Sequence, residues 1–152
     1  MIHREVMRKI RFIYWFMFFA FTVVFVAALA LADKSSAQWL PEAFGFVQLV
    51  VSAVFVVGAL VGSKLIANSV FSRKEVLENS EKLNETFLSW FMIRMAMAEM
   101  AGLTSSIGFL LTANLLLLII AALMFVVIFS YRPTHQKAES IVKEAQSLQH
   151  SR

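Results

Sequence analysis

From Phe12 to Ala32 the chain carries no charged side chain, and three further apolar runs follow: about Ala43 to Ala67, Trp90 to Thr112, and Leu115 to Tyr131. Crossing the hydrocarbon core of a bilayer takes ~20 residues at 1.5 Å rise each, and these runs are of that order. In hydrocarbon every backbone N–H and C=O must be satisfied within its own segment, which leaves the helix as the form open to such a run. The expected class is therefore all-α: a polytopic membrane protein, a four-transmembrane-helix bundle with short cytoplasmic helical extensions. Composition agrees, with 59% hydrophobic and 16% charged residues, where a water-soluble domain keeps roughly a quarter charged.

The expected organisation is one membrane domain over 1–132, with spans at about 12–32, 43–67, 90–112 and 115–131, and an amphipathic tail over 133–152. Pro41 suits the first turn of the second helix. Only Thr112-Ala-Asn114 separates the third and fourth runs, so those helices are antiparallel neighbours, with Asn114 suited to a left-handed turn. Ser72-Arg-Lys-Glu75 has the form of a capping box. Beyond it Val76, Leu83, Phe87 and Trp90 recur at helical spacing, predicting a cytoplasmic extension over about 73–89 that runs into the third span. In the tail Ala138, Ile141, Val142, Ala145 and Leu148 share one helical side. That side can pack on the first extension, lie on the anionic leaflet, or stay solvated.

Basic residues set the orientation. Arg4, Arg8, Lys9 and Arg11 precede the first span; Lys64, Arg73, Lys74 and Lys82 surround the middle loop; Arg132, Lys137, Lys143 and Arg152 follow the fourth. Lys34 stands alone in the remaining connections. Four spans put the three rich segments on one side, and the positive-inside rule makes that side cytoplasmic, with both termini there and the plasma (bacterial inner) membrane as the location. Trp39, Trp90 and Tyr131 stand near span ends, where amphipathic rings settle at headgroup level. The basic start and Ala28-Leu-Ala30 imitate a secretory signal, but the apolar run exceeds an h-region of about 7 to 15 residues, so an uncleaved anchor is expected.

Two charges fall inside the third apolar run. Arg94 lies about one turn beyond Trp90, near enough for its long side chain to snorkel to the headgroups. Glu99 lies about 13 Å in from Trp90 and cannot reach water. Five residues at about 100° each put it on a different face from Arg94, so the two form no helical ion pair. Burial without a cation favours the neutral acid. Glu99 can then be a structural hydrogen-bond donor, a proton or ion carrier, or part of a polar cavity. Along its face run Met92, Ala96, Gly102 and Ser106, small enough to admit another helix, and the second span offers Gly58-Ala-Leu-Val-Gly62 with Ser63 beside it. Gln48, Ser52, Ser105 and Asn114 can add interhelical hydrogen bonds.

This hairpin, with small residues in its first helix, a basic loop and a lone carboxylate in Met97-Ala-Glu99-Met-Ala, resembles the proteolipid c subunit of rotary ATP synthases over about residues 55–125. The resemblance implies a ring of hairpins in which Glu99 takes up and releases a proton. The loop departs from the family's Arg-Gln-Pro turn, carrying Ser-Arg73-Lys-Glu75, and the first helix and tail have no counterpart.

Other chemistries find no footing. The chain has no Cys, and His3, His135 and His150 lie in polar tails without ligand spacing, so neither metal nor cofactor is expected. Ser/His/Asp sets, paired intramembrane acids and phosphate-binding glycine loops are missing from the sequence. The basic residues flank spans, so no nucleic-acid partner is expected. The expected partners are the lipid bilayer and other membrane subunits or further copies of the chain. The expected role is a non-catalytic structural or accessory subunit; the alternative is a proton- or ion-handling subunit centred on Glu99.

Overall fold

The computed structural model describes residues 3–32, 39, 43–71, 76 and 79–150, and the regular elements among them are helices. In chain order these are α1 (Arg4–Leu31), α2 (Ala43–Val57), a π-helical turn (Gly58–Gly62), α3 (Ser63–Phe71), α4 (Ser80–Thr112), α5 (Leu115–Ser130) and α6 (His135–His150). The π turn leaves α2 and α3 one continuous rod. That rod, α1 and α4 are each long and apolar enough to cross a membrane. The protein is thus an all-helical membrane protein with three helices of spanning length; α5 is apolar but shorter, at 16 residues.

The hub is α4, on which α1, α2 and α5 all pack. Its buried residues, among them Phe87, Met95, Ala98, Ala101, Ser105 and Phe109, therefore point in several directions. By contrast, α1 buries one seam, Met7, Ile10, Tyr14, Phe21 and Ala28, at the three-, four- and seven-residue steps of a helix packed along one side. Its opposite face exposes Phe12, Phe16, Phe19, Val23 and Val26. So long an apolar stripe is untenable in water and natural in lipid.

Two registers fix the topology. The backbone N–H of His3 donates to Asn84 Oδ1 at 2.9 Å across 81 residues, and Phe21 meets Gly102 at the same offset, so α1 and α4 run parallel. Gln48 lies beside Gly108, Gly58 beside Met97, and the Ser63 carbonyl beside the Trp90 indole, so the α2–α3 rod runs antiparallel to α4. The starts of α1 and α4, the ends of α3 and α5, and α6 consequently share one end of the bundle. This basic end carries Arg4, Arg8, Lys9, Arg11, Arg132 and Lys137. Ala138 is buried there, and Ile141 and Val142 pack against the core.

The third long helix starts at Ser80, where Asn79 accepts from the N–H groups of Glu81 and Lys82, and continues unbroken to Thr112. Pro41 and the Ser72–Glu75 box lie outside the described residues. At the turn into α5 the structure corrects one expectation: Ala113, not Asn114, is left-handed (φ 50°, ψ 26°). Asn114 is extended, and its Oδ1 accepts from the N–H of Leu116 at 3.0 Å. Of the two residues only Asn114 owns an acceptor for the free N–H groups that open α5, so the strained conformation falls to its neighbour. A left-handed alanine costs about 1 kcal/mol, and Ala113→Gly is expected to raise the thermal midpoint in detergent by the equivalent of that strain. A lowered midpoint in a calorimetric scan would contradict the turn.

Candidate functional site

Arg94 and Glu99 are the charges inside the apolar part of α4, and the fold treats them differently. The Arg94 guanidinium carbon lies 3.7 Å from the centre of the Tyr131 ring and 5.3 Å from that of Trp90. Both rings attract the cation through their electron-rich faces. The side chain therefore leans toward the basic end, the direction expected for snorkelling, but it is held against aromatic rings. Its Nε is buried without a hydrogen-bond partner.

Those rings turn inward. At headgroup level a Trp and a Tyr can stand against lipid, yet Trp90 and Tyr131 are only 6% and 8% exposed. Their polar tips explain the difference. The Trp90 Nε1–H donates to the Ser63 carbonyl at 2.8 Å, and the Tyr131 hydroxyl donates to the Ala59 carbonyl at 3.3 Å. Ser63 Oγ also donates to Ala59, at 2.6 Å. Three side chains thus converge on carbonyls in or next to the π turn, so that in this low-dielectric setting each of these three donors has a partner. Trp39 is the member of the set that remains exposed, at 62%.

Glu99 is half-buried and has no hydrogen bond or ion pair among the described residues. It stands on the stripe Met92, Ala96, Glu99, Leu103, of which the first two are exposed and Leu103 half-buried, at the edge of the exposed side of α4 that also carries Ile93, Met100 and Ile107. The small residues expected to share its groove are divided. Ala96 faces outward, whereas Gly102 and Ser106 are buried. A Cβ on Gly102 would meet the Phe21 ring of α1 at 2.6 Å, so that glycine serves the first helix, not the second. Ser105 and Ser106 donate to carbonyls of their own helix, those of Ala101 and Gly102. Ser52, fully buried, finds no partner.

The two glycines of the GxxxG pair also part company. A Cβ on Gly58 would meet the end of Met97 at 2.5 Å, whereas one on Gly62 would meet nothing within 4 Å. The face buried here is centred on Ala59 and Ser63, each one residue beyond a glycine, so both glycines stand at its edge. The packing against α4 reaches only the first.

The molecule therefore presents two chemically distinct places: an unpaired carboxyl at mid-height on the outer side of α4, and a cluster of cations and aromatic rings at the basic end. Compared with known proteins, the chain matches no family model, no curated protein and no solved structure.

Proposed function

We propose that this chain is a non-catalytic structural or accessory subunit of a plasma membrane, with four spans and both termini in the cytoplasm, holding a partner helix against the Glu99 side of α4. Four spans are supported by the two-residue connection between α4 and α5 and by the packing of α5 along α4, which takes α5 into the bilayer with its neighbour. Sixteen residues rise ~24 Å, and a modest thinning of the bilayer absorbs the shortfall. The gathering of basic residues at one end supports the cytoplasmic assignment.

The observation that carries the proposal is the unpaired Glu99 carboxyl beside exposed Ala96 and Met92. An ionisable group at that depth costs about 2.5 to 3.5 kcal/mol unless a partner relieves it. A helix laid over the small Ala96 side chain, presenting a hydrogen-bonding group at the midplane, supplies that relief. Native mass measurement in mild detergent is expected to find the protein in an assembly larger than the monomer. Glu99→Gln retains that assembly, because an amide keeps the hydrogen bonds, while Glu99→Ala and Ala96→Leu dissociate it. A monomeric wild type overturns the proposal.

A second reading, the one the c-subunit resemblance implies, makes Glu99 a carrier of protons or ions. Its support is the same carboxyl's half-exposed position on the outside of the bundle. It requires labelling by a hydrophobic carbodiimide near neutral pH and loss of ion movement in Glu99→Gln, the substitution that the structural reading tolerates.

A further inference from the structure

The basic end holds a cavity of about 250 Å³ between α4, the end of α5 and the start of α6. Three cations line it, Arg94, Arg132 and Lys137, and no carboxylate does. None of the three forms an ion pair with a described residue, so the site carries unneutralised positive charge. Lys137 Nζ donates to the Ser130 carbonyl at 2.6 Å, which anchors it at the end of α5 and leaves its other N–H groups free. Arg94 is fixed by its stack on Tyr131 and keeps its Nε buried and unpartnered. Ser130, Thr134 and Ser140 also line the cavity, the Ser130 and Ser140 hydroxyls donating to the carbonyls of Val127 and Lys137.

We infer that this cavity is a binding site for the phosphate headgroup of an anionic phospholipid. Cations without a counter-charge are the chemistry that recognises phosphate, and an arginine fork suits its paired oxygens. Met7, Phe87 and Phe91 complete the lining, level with Arg94 or nearer the basic end. The cavity's position identifies the source. Its place at the end of apolar rods puts it at the depth where headgroups lie, and basic pockets between helices on the cytoplasmic face favour anionic lipid. The inference does not depend on the role of Glu99.

The test is native mass spectrometry of the full chain in mild detergent, titrated separately with phosphatidylglycerol, phosphatidylcholine and inorganic phosphate. Phosphatidylglycerol is expected to bind as a discrete adduct and to raise the thermal midpoint of the wild type, with phosphatidylcholine doing neither. The exposed pair Arg132→Gln with Lys137→Gln, checked for helix content by circular dichroism, is expected to weaken the adduct by about tenfold or more. Lys143→Gln, on α6 but outside the cavity, leaves it unchanged. Equal weakening by Lys143→Gln, or equal binding of the two lipids, reduces the effect to general surface charge and overturns the assignment. Stabilisation by inorganic phosphate alone gives the cations to a free anion and overturns it too.

Discussion

Gly102→Leu is expected to be the most damaging of the glycine substitutions in this protein, lowering stability by about 3 kcal/mol, the upper part of the usual overpacking range. The cause lies in what surrounds the missing side chain. Even a Cβ at Gly102 would come within 2.6 and 2.7 Å of Phe21 ring atoms, and that ring has no room to retreat. It is wholly buried, and its neighbours are the Phe25 and Phe125 rings at 5.9 and 6.1 Å between centres. Helices in lipid gain little from hydrophobic exclusion and cohere by close packing, so an added methyl that pushes α1 off α4 removes much of what joins them. Gly58→Ala meets the end of Met97, a flexible thioether that swings aside at small cost. Gly62→Ala meets nothing, and should gain a little from alanine's helix propensity. The expected order of thermal midpoints in detergent is therefore Gly62→Ala highest, then Gly58→Ala, Gly102→Ala and Gly102→Leu. Trimming Phe21 to Leu in the Gly102→Ala background should recover part of the deficit, which a double-mutant cycle reads as coupling between the two sites. If Gly102→Ala and Gly62→Ala unfold at the same temperature, the α1–α4 interface is not where the structure puts it.

These contrasts mark what the sequence could and could not disclose. Depth is written in the chain: hydropathy places the long helices, the two-residue gap makes α4 and α5 a hairpin, and Trp90 heads the apolar part of its helix. Facing is not. A ring near the end of a span stands at headgroup height whether it turns to lipid or to protein, and Trp90 and Tyr131 turn inward because carbonyls around Gly58–Gly62 accept their donors. No residue pattern announces a π turn, which depends on the tertiary partners of its backbone. The same ambiguity divided Met92, Ala96, Gly102 and Ser106, which share a helical face by spacing alone. The hub helix is covered from three directions, so the periodicity that reveals a one-sided helix such as α1 is averaged out along α4. Glu99 was legible as an anomaly because charge in an apolar run needs no knowledge of facing. The cavity at the basic end was not, since it joins Arg94 to a tail beginning some forty residues later.

Trp90→Ala should have an equally large effect, but one confined to the basic end. The indole is 6% exposed, lies 6.0 Å from the Phe71 ring and 5.6 Å from the Phe87 ring, and donates to Ser63. It thereby ties α3 to α4 and supports the Arg94 cation that Tyr131 also holds. Truncating a buried tryptophan costs about 3 kcal/mol or more, because the ring's packing disappears and a cavity takes its place. Trp90→Phe keeps most of the ring and removes the N–H donor, and its expected cost is about 1 kcal/mol, that of one hydrogen bond. The gap between the two substitutions separates packing from hydrogen bonding. Stability is not uniform across a fold, and opening begins in the elements whose support is removed. Amide exchange in Trp90→Ala should therefore accelerate over Ser63–Phe71 and His135–His150, while the turn at Ala113 and Asn114, at the opposite end of α4, keeps its protection. Uniform acceleration along all the helices would show that the indole supports the whole bundle. Unchanged exchange over Ser63–Phe71 would show that α3 is held by something other than Trp90.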